Sequence, residues 1–216
     1  MIKNVIFDID GTLWNSTGVV AKGWQKAVDE LGYSKAHIEA ENLKKEFGLP
    51  MNIIADHIFF DVSEQSKKDE LLELCCKYEH ECLEANEEDI SFEGIVETIR
   101  ELAKEYRLFI VSNCQKGYIE LVTAKLDIVD FIEDYLCFGD TGLTKGETMS
   151  MLMEKNGLKA EETVYVGDTA GDKKATEDAK ATFVYADYGF GELENESYVA
   201  FSPKEIPSVI KGMEIK

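Results

Sequence analysis

Short apolar runs closed by polar or glycine turns recur along this chain, at Asn4 to Ile9, Leu108 to Val111, Tyr135 to Phe138, Val164 to Val166 and Thr182 to Tyr185. Each is rich in Val, Ile, Phe or Tyr with little polar alternation, the pattern of strands covered on both faces. Helical spacings separate the later runs: Ile95, Ile99 and Leu102, then Ile119, Val122 and Leu126, then Met149, Leu152 and Met153. Strands alternating with helices predict an α/β fold built on a Rossmann-like parallel sheet.

The first two strands are separated by about ninety residues, far more than one crossover helix needs. Within that gap helical patterns run from Ser16 to Leu31, Lys35 to Phe47, Met51 to Phe60 and Glu64 to Ala85, with Gly48-Leu49-Pro50 dividing the second from the third. The expected organisation is a core domain of residues 1–14 and 88–216 interrupted by an all-helical domain of residues 15–87. The hinges fall near Leu13–Asn15 and Asn86–Glu93.

Charge narrows the partners. The 216 residues hold 43 acidic against 23 basic side chains, a net charge of −20. The resulting field repels phosphate polymers, so neither nucleic acid nor an anionic membrane is an expected partner. Half of that charge, 15 acidic against 5 basic residues, lies in residues 61–105, where solvated helix faces account for it. Five cysteines without a CxxC pair argue against a disulfide framework or a zinc site, and Cys75 and Cys82, seven apart, read as one core face of a helix. His37, His57 and His80 share no ligand spacing and read as ordinary helix residues. No targeting segment or apolar run long enough to span a bilayer is visible, so the expected location is cytoplasmic.

The sharpest chemical signal is Phe7-Asp8-Ile9-Asp10-Gly11-Thr12. Carboxylates at i and i+2 at the end of an apolar strand share one face. So close a pair needs a cation, a shared proton or both. Gly11 permits a sharp turn afterwards. A plain Asp-Gly turn would have the same three residues, whereas a calcium loop fits poorly because Val19 stands where its terminal Glu belongs. A second strand ends in Gly167-Asp168, with Asp172 one helical turn on; a helix cap with a first-turn acid would look the same. Ligands of parallel sheets bind beyond the carboxyl ends of the strands, so Asp8, Asp10 and Asp168 could converge there into an all-oxygen site suited to Mg²⁺. Ser112-Asn113 closes another strand and Lys145 precedes a helix. Alone these are a turn and a surface lysine; in this order they complete the parts of a phosphoryl-transfer site.

This ordered set resembles the haloacid dehalogenase-like superfamily, in its helical-cap group of phosphoglycolate phosphatases and β-phosphoglucomutases, over about Lys3 to Gly191. The resemblance implies a Mg²⁺-dependent phosphatase that hydrolyses a small phosphate monoester through an aspartyl-phosphate. Asp8 would be the nucleophile and Asp10 the acid and base. Ser112 and the Asn113 backbone would hold phosphoryl oxygens, balanced by Lys145, with Gly11 and Thr12 forming the turn into the cap. The metal would take the Asp8 carboxylate, the Asp10 carbonyl and Asp168, with Asp172 in support either directly or through water and Lys145. The expected partner is a small phosphorylated metabolite, bound by a monomer or homodimer, with the cap closing over it to exclude water.

Asp10 separates this chain from dehalogenases and phosphonatases, which lack the second Asp. Three departures stand out: Lys145 is followed by Gly146 rather than Pro, which implies a looser backbone; Ala179-Lys180-Ala181 replaces the usual Ala-Gly; and Trp14 fills a hinge place often held by a smaller aliphatic residue. Sugar phosphomutases typically carry a histidine where this chain has Val20, which disfavours that alternative. A non-catalytic phosphometabolite-binding protein is disfavoured by the retained acidic residues. Substrate choice lies in the cap, where Trp24, Met51 and Phe59 read as core residues first and pocket residues second.

Overall fold

The computed structural model describes residues 1–213, which divide into two compact units, residues 1–14 with 91–213 and Asn15–Ile90. In chain order the elements are β1 (Asn4–Phe7), α1 (Thr17–Leu31), α2 (Ala40–Glu46), α3 (Met51–Ile58), α4 (Gln65–Ala85), α5 (Ile95–Leu102), β2 (Arg107–Ser112), α6 (Tyr118–Lys125), β3 (Asp134–Cys137), α7 (Phe138–Thr141), α8 (Lys145–Asn156), β4 (Thr163–Gly167), α9 (Ala170–Asp178), β5 (Thr182–Ala186), β6 (Val199–Ala200) and α10 (Ile206–Met213).

The first unit is built on a six-stranded sheet in the order β3-β2-β1-β4-β5-β6, parallel throughout. Its strands are apolar on both faces because both are covered. Ile6, Phe109, Val111 and Tyr165 pack with Met149, Leu152 and Met153 of α8 and with Ala175 and Ala179 beside α9. By strand alternation Val5, Phe7, Leu108, Ile110, Val164 and Val166 occupy the opposite face, and all are buried. The chain leaves β1 for β2 on one side and returns as β4 on the other. The carboxyl ends of these three strands therefore flank a topological switch point, where a parallel sheet opens a crevice. The short β6 escaped sequence reading because a two-residue strand leaves no periodicity to detect.

The second unit is helical. Trp24 of α1 stacks on Phe59 at 5.9 Å, and its indole N–H donates to the buried Glu79 of α4 at 2.7 Å. Both rings are thus core of this unit. The helix expected from Lys35 begins only at Ala40, for a local reason. The Ser34 hydroxyl and the Lys35 N–H donate to Asp61, and the Ile38 N–H donates to the Gln25 side chain. Backbone groups that a helix would use are held by side chains until Glu39. His37 consequently lies outside any helix, while the His57 ring meets Glu46 at 2.6 Å. Cys75 is buried and Cys82 half-buried on α4, and all five cysteines are free. Among the described residues no helix is long and apolar enough to cross a membrane.

Gly146 does not loosen its segment. It lies in the first turn of α8, whose start is fixed by a capping box between Thr144 and Glu147, and it packs against Ala175 and Asp178. Lys180 is the costlier departure: past the end of α9 it holds φ at +60°, a left-handed conformation that favours glycine. Lys180→Gly should therefore raise unfolding stability by about 0.5–1 kcal/mol, the left-handed penalty less the added chain entropy of glycine. Urea denaturation of the two proteins checks this; an unchanged or lower midpoint for the glycine variant contradicts it.

Candidate active site

The β1 ladder continues one residue past the strand, with the Asp8 N–H donating to the Val166 carbonyl at 2.9 Å. The chain then turns sharply: the Ile9 carbonyl accepts from the N–H groups of Thr12, Leu13 and Trp14. Asp8 and Asp10 therefore do not share a strand face. The Asp8 carboxylate enters a buried cluster with Lys145, Asp168 and Asp172. That of Asp10 instead accepts at Oδ1 from the Trp14 indole at 3.0 Å and the Tyr118 hydroxyl at 2.8 Å. The all-carboxylate group is thus Asp8, Asp168 and Asp172, whose oxygens lie within 4.8 Å of one another.

Lys145 organises this group. From the first turn of α8 its ammonium donates to Asp8 Oδ1 at 3.0 Å and to Asp172 Oδ1 at 2.6 Å. Asp172 comes from the first turn of α9 and divides its oxygens. Oδ1 faces Lys145 and the Tyr165 hydroxyl, whereas Oδ2 accepts from the Asp168 and Thr169 N–H groups and the Thr169 hydroxyl, in a second capping box. Asp168, just past β4, accepts from the Phe190 N–H at 2.7 Å and, at 3.5 Å, from the Thr12 hydroxyl. Two glycines make room for it: a Cβ on Gly11, which also has φ of +86°, would lie 2.1 Å from Asp168 Oδ2, and one on Gly189 would lie 2.3 Å from Asp168 Cβ.

Three carboxylates against one ammonium leave the cluster short of positive charge, and the proton affinities record it. Burial raises the Asp8 pKa to about 7, with Lys145 opposing and the Asp172 and Asp10 charges adding. Burial and repulsion from Asp172 and Asp8 raise Asp168 to about 8. For Asp172 burial works upward too, but Lys145 and Thr169 override it and hold the carboxyl below its ordinary value. Lys145 is driven down by burial and up by Asp172 and Asp8, and the net is upward, so it stays an ammonium. A hard divalent cation suits this donor set: oxygen ligands alone, an uncompensated charge, and a cradle kept open at Gly11 and Gly189 where a Cβ would intrude.

Ser112 is the last residue of β2, buried, and Asn113 follows it half-buried, both at the carboxyl end of the strand that pairs with β1. Asp8, Lys145, Asp168 and Asp172 therefore meet in one cluster, Thr12 reaches it through Asp168, and Ser112 and Asn113 end the neighbouring strand. Sequence reading missed Tyr118, Tyr165, Gly189 and the Phe190 N–H, and gave Trp14 only a hinge place. The Tyr188-Gly189-Phe190-Gly191 stretch after β5 carried a usable signal, a glycine pair just past a strand. Tyr118 and Tyr165 carried none.

Residues 5–186 match the family model described as haloacid dehalogenase-like hydrolase. Among curated proteins the chain is 28% identical to a pyrophosphatase, PpaX, of Bacillus mycoides over 79% of this chain and 77% of that one. It is 26% identical to the phosphoglycolate phosphatase of Vibrio parahaemolyticus over 97% and 96%. Among solved structures, a haloacid dehalogenase-like hydrolase from Streptococcus pneumoniae shares the fold with a TM-score of 0.82 and 20% identity, covering 97% of this chain and 98% of that one. With the match spanning β1 to β5, the chain is an enzyme of the haloacid dehalogenase-like hydrolase family.

Proposed function

We propose that this enzyme is a Mg²⁺-dependent phosphatase that hydrolyses a small phosphate monoester through a phosphoryl group carried on Asp8. The observation that carries the reading is the Asp8–Lys145–Asp172 bridge beside Asp168: a buried carboxylate aimed by a permanent cation at the mouth of a parallel sheet. Both curated relatives described above bear names that denote cleavage of small phosphates.

Asp8 attacks phosphorus while its Oδ1 stays on Lys145. As the bond to the leaving oxygen breaks, the proton on Asp10 passes to that oxygen. Asp10, now a carboxylate, then takes a proton from the water that attacks the aspartyl-phosphate, freeing phosphate and restoring Asp8. The Ser112 hydroxyl and Asn113 N–H donate to the phosphoryl oxygens, and the Lys145 charge offsets theirs. Mg²⁺ would be held by the Asp8 and Asp168 carboxylates and the Asp10 carbonyl, with Asp172 behind them, and would supply the positive charge a phosphoryl oxygen needs in this acidic site. Val20, completely buried in α1, offers no proton carrier of the kind a sugar mutase would need there, which supports hydrolysis.

Turnover of p-nitrophenyl phosphate should fall by about a thousandfold or more in Asp8→Asn, and by about a hundredfold in Ser112→Ala, which removes one oxyanion donor. Full turnover in Asp8→Asn contradicts the nucleophile assignment. A panel of phosphometabolites with free phosphate as readout identifies the substrate. If a sugar 1-phosphate yields its 6-phosphate instead of free phosphate, the enzyme is a mutase.

The metal reading has its own pH signature. In the metal-free protein Asp8 and Asp168 keep protons that the unfolded chain has shed above its ordinary carboxyl value of 3.8. The folded state thus binds more protons between about pH 4 and pH 8, and these two groups make stability fall as pH rises through that window. A cation that replaces those protons stabilises more as pH rises, so Mg²⁺ at about 10 mM should raise Tm by several degrees near pH 8.5 and little near pH 5.5. Asp168→Asn and Gly189→Ala should both abolish the shift. An equal shift at both pH values, or one that survives Asp168→Asn, contradicts the site.

A further inference from the structure

We propose that Trp14 and Tyr118 are positioning residues that aim the Asp10 carboxylate for both of its proton transfers; this rests on the reading of Asp10 as acid and base. The two donors reach one oxygen from different elements, Trp14 from the turn after β1 and Tyr118 from the first turn of α6. Both side chains are nearly inaccessible, at 2% and 1% exposure, and their rings meet edge to face with centroids 5.9 Å apart at 74°. Trp14 is pinned further by its backbone. Its N–H donates to the Ile9 carbonyl, its carbonyl accepts the Gly11 N–H at 3.0 Å, and it bridges to Ser91. A carboxylate fixed by two rigid donors on a single oxygen loses the freedom of its side-chain torsions.

The chemistry of the donors suits a group that must change charge. Indole and phenol are neutral donors, and an oxygen with two lone pairs can accept from both whether or not its partner oxygen carries a proton. The pair of hydrogen bonds therefore persists through the cycle. Asp10 gives its proton to the leaving oxygen as that oxygen takes the electron pair of its bond to phosphorus. It later recovers a proton from the water whose oxygen bonds to phosphorus as Asp8 departs.

The test uses Tyr118→Phe, which removes one oxygen and keeps the ring, and Trp14→Phe as a second variant, each with Tm measured. The substrates are p-nitrophenyl phosphate and phenyl phosphate, alike in shape, of which only the first has a leaving group stable without protonation. Steady-state turnover should fall by about tenfold to a hundredfold, a fraction of what a general acid–base supplies. Two further readouts belong to positioning alone. The formation step should lose more on phenyl phosphate than on p-nitrophenyl phosphate. Rapid mixing with p-nitrophenyl phosphate should show a burst of nitrophenolate approaching one per enzyme, because the phosphoenzyme then waits for its water to be deprotonated. Asp10→Asn is the reference. If it shows the burst while both aromatic variants, folded as the parent, match the parent or lose equally on both substrates without a burst, the rings only fill space and the inference is overturned. If Asp10→Asn itself turns over normally, the reading of Asp10 fails, and the inference with it.

Discussion

Three carboxylates and one ammonium share a space from which water is excluded, and the rest of the first unit is arranged around that imbalance. Lys145 satisfies Asp8 and Asp172 directly, at 3.0 and 2.6 Å. Breaking such a buried set by removing one partner costs several kcal/mol, because an uncompensated charge stays behind. Asp168 lies outside the reach of that ammonium's hydrogen bonds and depends on the Phe190 and Thr12 donors, with burial still pushing its proton affinity upward. The sheet makes the cluster affordable, since β1 and β4 deliver Asp8 and Asp168 from rigid, hydrogen-bonded ends, and α8 and α9 deliver Lys145 and Asp172 from capped first turns.

Asp10 follows a different logic. One residue past Ile9 the chain has already turned, so the second acid of the motif accepts from the Trp14 indole and the Tyr118 hydroxyl. Two carboxylates two positions apart thereby experience unlike surroundings. One is locked beside a permanent charge; the other is oriented by two aromatic donors. Groups of the same type set in different environments acquire different proton affinities and so become suited to different tasks.

Most of this was legible in the chain. Doubly apolar runs ending in Asp8, Ser112 and Asp168 announced parallel strands with chemistry at their carboxyl ends, and the ladder registers agree with that order. The strand and helix boundaries fell within a residue or two except where side chains intervened, as Asp61 and Gln25 do ahead of α2. Burial drawn from long-range packing was not legible. Tyr118 lies 108 residues from Asp10, and Tyr165 reaches the Val111 carbonyl across two strands; no local pattern encodes either. Sequence spacing also placed Asp8 and Asp10 on one face, because period-two reasoning assumes a strand that here ends at Phe7.

The divided carboxylate of Asp172 has an evolutionary reading. One oxygen serves the charge cluster while the other closes the N-terminal turn of α9, so the residue is answerable to chemistry and to architecture at once. Asp8 carries less of the architecture, since Lys145 keeps Asp172 as a partner without it and its backbone completes the β1 ladder whatever side chain it bears. A lineage descending from this protein and relieved of selection for turnover would be free to shed Asp8 early. It would retain Asp172 long afterwards, leaving a helix cap as the fossil of a lost active site.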